Sequence, residues 1–475
     1  MLNNVGFASN FYPFTTKCAI LDSEGSVLVL SSPIFTRKQL VQLAIPLIIE
    51  QMLTAAVGFA DTLMVSNVGE AIVSGVSLVD SINMLLINIF AALATGGAVV
   101  VSQYIGMKER EKSLEAAGQV FWVTLVLSLV ISVVSLLFRP QLLTMIFGTV
   151  EPLVRESALI YFLLSALSYP FIAQYNTCAA LLRACGNSKV PMYTSLLMNV
   201  INISGNAILI YGFDMGAAGA GLATLVSRIV GCVLLVMLLR NERYSINLSR
   251  LLPMKLNFRM IKNILGIGLP IGLENGIFQI GKVMVQSMVS SFGTAAIAAT
   301  AVANSMSVII IMPAGALGMA LVTVAGQCAG AGEYEQCKGY IKKLTVVAKL
   351  TIIALSALLV IGMDSVLKMY NLSSETAVLA RQIIMSLAVA ASLLWAEGFV
   401  MPNGLRACSD VKFSMIVAIS SMWTMRVGMG YVLSTVFGVG VIGVWYGMFL
   451  DWIVRVIAYG WRFFSGRWTR QKVVS

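Results

Sequence analysis

Glu50, Asp61, Asp80, Glu274, Lys282, Glu397, Arg426 and Asp451 all lie inside long apolar stretches of this chain. A charge at membrane depth costs roughly 2.5–3.5 kcal/mol on insertion scales, so each must face protein or water, and each marks candidate ion or substrate chemistry. The stretch 40–65 (LVQLAIPLIIEQMLTAAVGFADTLMV) is the most informative. Glu50 and Asp61 are 61 − 50 = 11 positions apart. That spacing is about three helical turns, so with Thr54 the two acids share a face, roughly 16 Å apart along the axis. Pro46 removes a backbone hydrogen bond below that face and can bend the helix. The chemistry on offer is uptake and release of a cation by a helix that moves. The chain has no His, which removes the commonest metal ligand and proton shuttle and leaves proton work to carboxylates.

Only membrane helices can position these residues. Of 475 residues, 58% are hydrophobic and 11% charged, whereas soluble domains average about 25% charged. The apolar runs are long and continuous, unlike the short alternating segments of a β-barrel. A net charge of +11 reads as Lys and Arg gathered on the cytoplasmic side, not as nucleic-acid binding. The seven Cys show no metal-ligand spacing and read as small hydrophobes. The Gly-rich runs at 94–97 and 315–318 are close-packing surfaces: no Lys-Ser/Thr follows them, so no nucleotide loop is present. The 26 Met suit either an adaptable apolar cavity or plain lipid-facing filling.

Apolar segments fall near 40–66, 72–105, 118–138, 155–180, 191–212 and 218–240, then near 261–291, 296–326, 341–362, 376–402, 411–437 and 441–464. The expected organisation is a cytoplasmic tail (1–35), six helices (36–240), a cytoplasmic linker (241–260), six helices (261–464) and a tail (465–475). The tail at 1–35 lacks the order of a signal peptide. Alternate connectors carry Lys108, Arg110 and Lys112, then Arg183 and Lys189, Arg240 and Arg243, Lys338 to Lys343, Arg406 and Lys412. This bias places both termini in the cytoplasm of a cell-membrane protein.

The chain is also a repeat. Pro46 aligns with Pro270, Glu50 with Glu274, Gly69 with Gly293, Gln103 with Gln327 and Gly106 with Gly330, each pair 270 − 46 = 224 positions apart. LRACG at 182–186 answers LRACS at 405–409. Six helices per repeat give parallel halves about a pseudo-two-fold axis, with substrate expected between them.

The halves differ in their polar residues. Asn199, Asn202 and Asn206 share one face of the fifth helix, and either line a polar site or join helices at about 0.6 kcal/mol per bond. In the second half Asn275, Gln279, Lys282 and Gln286 stripe the seventh helix, with Glu274 at the edge. Buried cations need partners, so Lys282 and Arg426 are expected to pair with Glu274, Glu397 or Asp451, as structural bridges or as a substrate site. Asp80 and Asn83 answer Asn304 and Ser307, on helices expected to oppose each other across the cleft, so these residues are expected to touch substrate or to gate.

The chain resembles the MATE (multidrug and toxic compound extrusion) family, NorM/DinF type. The resemblance rests on Pro46 with Asp61-Thr62-Leu63-Met64-Val65, on Asn202 and Asn206 before Ile210-Tyr211, and on GAAGAGLAT ending at Thr224. It implies an all-α integral membrane fold of twelve transmembrane helices in two six-helix pseudo-symmetric lobes with a V-shaped cleft. It also implies that Asp61, Asn202, Asn206 and Thr224 bind Na⁺ or a proton, with Pro46 as hinge. The second half departs from the family: Phe278 stands where some members have Glu, and Trp395 near where many have Asp, with Glu397 two residues on. The implied function is efflux of small amphipathic or cationic compounds in exchange for Na⁺ or H⁺, by a monomer without ATP or any cofactor beyond the coupling ion. A flippase for lipid-linked sugars is the alternative, with Lys282, Arg426 and Asp80 in its cleft. An enzyme would need a nucleophile–base pair or metal cluster that the sequence does not offer.

Overall fold

In lipid, an apolar run of about 20 residues satisfies its backbone hydrogen bonds internally, as a helix. Among the described residues twelve helices are long and apolar enough to cross a membrane. The structure, a computed structural model, describes residues 18–21, 27–30, 33–66, 69–241, 246–247, 256–370 and 372–471. The side chains of residues 18–21, 27–30, 59–63, 65 and 66 lie outside that description, so Asp61 is placed by its backbone alone. Most of the expected tail at 1–35 and of the linker at 241–260 also lies outside the described residues. Within that tail, Cys18–Leu21 pairs antiparallel with Val27–Leu30, a local hairpin where no pattern was expected.

The helices are α1 Arg37–Ser66, α2 Glu70–Gly106, α3 Arg110–Phe147, α4 Pro152–Ala184, α5 Lys189–Gly212 and α6 Gly216–Leu239. They continue as α7 Phe258–Ser290, α8 Thr294–Gly330, α9 Tyr334–Ile361, α10 Ser374–Ala407, α11 Val411–Val436 and α12 Val441–Phe464. A short helix, Met363–Met369, lies between α9 and α10. α2 and α8 have 37 residues each and both ends displaced by 224 (294 − 70 and 330 − 106). Pro46 is buried inside α1 and the helix runs on past it.

The two halves meet where α2, α4, α8 and α10 end, beside the Lys- and Arg-rich connectors. A Cβ on Gly106 would stand 2.1 Å from the Gln327 carbonyl oxygen, and one on Gly330 would stand 2.0 Å from that of Gln103. Only glycine permits this crossing of α2 and α8. Gln103 Nε2 then donates to the Ala407 carbonyl at 2.7 Å, and Gln327 Nε2 donates to the Ala184 carbonyl at 2.7 Å. Thr323 Oγ1 adds a bond to the Arg183 carbonyl at 3.1 Å. The last carbonyls of a helix have no partner within it, and here the opposite half supplies one. The buried apolar core crosses the same junction, joining Val99, Ala116 and Leu181 to Ile264, Ile267 and Val322.

Candidate functional site

The glycines of α6 bring its first turns against α5. Gly219 lies against the Leu209 backbone and Gly205 of α5 against Ala223. This approach puts Asn202 Nδ2 3.2 Å from Thr224 Oγ1 as donor, and Asn206 Nδ2 3.4 Å from Asn202 Oδ1. Immediately after Asn206 the helix widens into π-helical turns over Ala207–Gly212, a feature often found at functional sites. Tyr211, on that widened stretch, donates to the Met64 carbonyl of α1 at 3.0 Å.

A cavity of about 210 Å³ opens beside these residues, lined among others by Gly58, Asp80, Tyr161, Asn206, Thr224 and Arg228. α1 and α5 approach their C-termini here, and α2 and α6 leave their N-termini. The cavity therefore lies toward the end of the bundle opposite the basic connectors. Asp61 follows Gly58 by three positions and precedes Met64 by three, so its backbone is held between the cavity lining and the Tyr211 bond. Asp61, Asn202, Asn206 and Thr224 are thus drawn to one region from three helices.

Asp80 also belongs to this site. Its Oδ1 accepts from Tyr161 OH at 3.0 Å and from Asn83 Nδ2 at 3.1 Å. Asn83 donates to Ser165 Oγ at 3.1 Å and accepts from Tyr169 OH at 2.8 Å. Arg228 donates to Ser168 Oγ at 2.6 Å. Among the described contacts Asp80 and Asn83 make no bond to Asn304 or Ser307, their counterparts on the helix expected across the cleft. They turn to α4 of their own half, because the α2–α4 face buries Asn83 and supplies hydroxyls to satisfy it. Asn304 is exposed on α8. Sequence reasoning missed Tyr161 and Arg228; the signal for Arg228 was a lone cation in an apolar helix, one turn after Thr224.

Glu50 is not part of the site. Both its oxygens accept from Arg183 NH1, at 3.0 and 3.1 Å, and it is 5% exposed. Arg183 stands in the last turn of α4, at the basic end, so Glu50 is tied away from Asp61 by the length of α1 between them. Thr54 Oγ1 bonds only to the Glu50 carbonyl among the described contacts, as helical hydroxyls commonly do.

The expected partnerships in the second half are partly overturned. Glu274 Oε1 accepts from Arg406 NH2 at 2.6 Å, not from Lys282. Glu397 pairs with Lys349 of α9 at 2.8 Å. Arg426 does meet Asp451, at 3.1 Å, and shares it with Arg455 at 2.8 Å. Lys282 lies over the Phe278 ring, 5.6 Å from its centroid. Gln279, beside them on α7, is half-buried. Among the described residues no group of three His, Cys, Asp or Glu side chains could hold a metal. An ion here would depend on single carboxylates with amide and hydroxyl oxygens, a weak hard-oxygen set suited to a monovalent cation.

The sequence profile of the MatE family matches residues 46–208 and again 270–432, the same displacement as the helices. The chain is similar to an uncharacterized transporter YisQ of Bacillus subtilis (strain 168), 26% identical over 88% of this chain and 92% of the relative. It is similar to a probable multidrug resistance protein NorM of Thermotoga maritima, 25% identical over 92% and 94%. A solved structure described as the outward-facing conformation of a multidrug resistance MATE family transporter superposes with a TM-score of 0.84 at 22% identity, covering 90% of this chain and 96% of that one. The chain therefore belongs to the MatE family: it is a multi-pass MATE transporter of the membrane, and not an enzyme.

Proposed function

We propose that this protein is a secondary antiporter that exports small amphipathic compounds in exchange for inward Na⁺ or H⁺. The observation that carries the reading is the cavity of the first six helices, where Asp80, Tyr161, Asn206 and Thr224 gather beside the Gly58–Met64 segment of α1. Asp61 is the coupling carboxylate, with Asn202, Asn206 and Thr224 as neutral oxygens around it. One site of low charge binds a monovalent ion and still lets it go. Bending near Pro46 would move Asp61 relative to α5 and α6, linking ion occupancy to the shape of the cleft. The chain would sit in the cell membrane with its basic connectors and both termini in the cytoplasm, as the Lys and Arg bias supports. It would work as a monomer, without ATP, nucleic acid or a further cofactor.

Relatives named for multidrug resistance favour efflux over the flipping of lipid-linked sugars. The test is dye efflux from proteoliposomes under a Na⁺ gradient or a pH gradient imposed separately. One gradient should drive efflux, and Asp61→Asn should abolish the coupling while the protein still inserts. Full coupled efflux in that variant, or efflux indifferent to both gradients, overturns the assignment.

A further inference from the structure

The second six helices gather positive charge around one ring. Lys282 Nζ, Arg426 Cζ and Arg455 Cζ lie 5.6, 5.0 and 5.6 Å from the centroid of Phe278. Arg455 also lies 5.0 Å from the centroid of Phe399. Asp451, with no exposed surface, is the carboxylate between the two guanidinium groups. Three other carboxylates of this half pair elsewhere: Glu274 with Arg406, Glu397 with Lys349 and Asp410 with Arg462. Among the described residues no carboxylate oxygen lies within 4.0 Å of Lys282 Nζ. Among the described residues Asp451 is thus the one carboxylate within ion-pair distance of any of these three cations. The Phe278 ring attracts cations but neutralises none, and uncompensated charge at membrane depth is unfavourable.

Two buried donors of the cluster are unsatisfied. Among the described residues Arg426 Nε and Trp452 Nε1 have no hydrogen-bond partner, nor does the acceptor Asp451 Oδ2 beside them, in residues 6%, 3% and 0% exposed. Buried donors are nearly always satisfied. Trp452 packs edge-on against Phe399 at 6.0 Å, the ring that carries Arg455. Lys282 is exposed, so the cluster has an accessible edge. The backbone is irregular on both sides, with π-helical turns over Met422–Met429 around Arg426 and over Ala391–Val400 around Phe399.

We propose that this cluster is an anion-binding subsite for the carboxylate, sulfonate or phosphate of an amphipathic substrate whose apolar body lies toward Phe278. The proposal deepens the antiporter reading and rests on it. The carboxylate-bearing cavity of the first half takes the coupling cation, and the basic cluster of the second takes the acidic head of the transported compound. Guanidinium groups suit such heads because their N–H donors match a pair of anionic oxygens.

The test uses two xanthene dyes of similar body and opposite charge, fluorescein (anionic) and rhodamine 123 (cationic), with the purified full-length protein. Lys282→Gln is the informative variant, since Lys282 is exposed and holds no ion pair whose loss would unfold the chain. Wild-type protein should bind fluorescein about tenfold tighter than rhodamine 123. Lys282→Gln should weaken fluorescein about tenfold, the scale of one lost charged hydrogen bond, and leave rhodamine 123 unchanged. Lys282→Arg should keep fluorescein binding. Competition by phosphatidylglycerol, with none by phosphatidylcholine, would name a lipid headgroup as source of the anion; no competition by either would name a free solute. Equal affinity for both dyes, or unchanged fluorescein affinity in Lys282→Gln, overturns the subsite. Transport of rhodamine 123 without fluorescein binding overturns the subsite and leaves the antiporter reading standing, whereas a protein that binds and moves neither dye overturns both.

Discussion

Arg183 donates to both carboxylate oxygens of Glu50, at 3.0 and 3.1 Å, and one repeat later Arg406 donates to a single oxygen of Glu274, Oε1, at 2.6 Å. Each pair ties the first helix of its half to the end of the fourth. The carboxylates are 5% and 8% exposed, so removing one partner strands a buried charge. Arg183→Gln should cost about 3–5 kcal/mol of stability, measured by thermal unfolding in detergent. The double variant Glu50→Gln with Arg183→Gln should recover part of that loss; simple addition of the two single losses would show that the pair is not coupled.

Lys282 and Glu274 should behave oppositely. They are eight positions apart on α7, about 12 Å along the axis, and Arg406 occupies the Glu274 carboxylate. Lys282→Ala and Glu274→Gln should therefore add within about 0.5 kcal/mol, as sites beyond 7–10 Å usually do. A coupling clearly larger than that would mean that the two groups meet in solution.

The reciprocal bonds of Gln103 and Gln327 hold the halves together at the basic end. Each hydrogen bond contributes about 0.5–1.5 kcal/mol net. Replacing both by Ala should shift the balance toward opening at this end by about 5- to 150-fold. Spin labels at Arg110 and Lys338, both exposed, should report a longer distance population in Gln103→Ala/Gln327→Ala. An unchanged distance distribution would show that glycine packing at Gly106 and Gly330 suffices.

Asp80 should matter to coupling more than to folding. Asp80→Asn keeps the size of the side chain and its contact with Tyr161 while removing the charge from the cavity. Gradient-driven efflux should fall at least about tenfold, with little change in melting temperature. Tyr161→Phe removes one hydrogen bond to Asp80 and should cost a few-fold in efflux, the scale of about 1 kcal/mol. Wild-type ion dependence in Asp80→Asn would leave the ion to Asp61 alone.

The twelve helices, the repeat of 224 residues and the polar face of Asn202 and Asn206 could be read from the chain alone. Hydrophobic run length and helical period are local properties, and lipid leaves an apolar run no alternative to the helix. The grouping of those asparagines with Thr224 came only from the family resemblance; in the structure Gly205 and Gly219 let the two helices approach and Asn202 meets Thr224.

Ion pairing was not legible, since which charges meet depends on helix neighbours and on depth along each helix. Composition required a partner for every buried cation but could not choose among three carboxylates. Packing chose Arg406 for Glu274, because the Arg406 side chain at the end of α10 reaches α7, and it chose Lys349 for Glu397, because α9 runs beside α10. It joined Asp80 to Tyr161, and among the described residues it set Lys282 over a ring with no anion in ion-pair distance. The sequence by itself determined that these charges lie at membrane depth. Only the tertiary structure decided which charges meet, because a side chain's electrostatic partner is set by distances of a few ångströms between helices far apart in the chain.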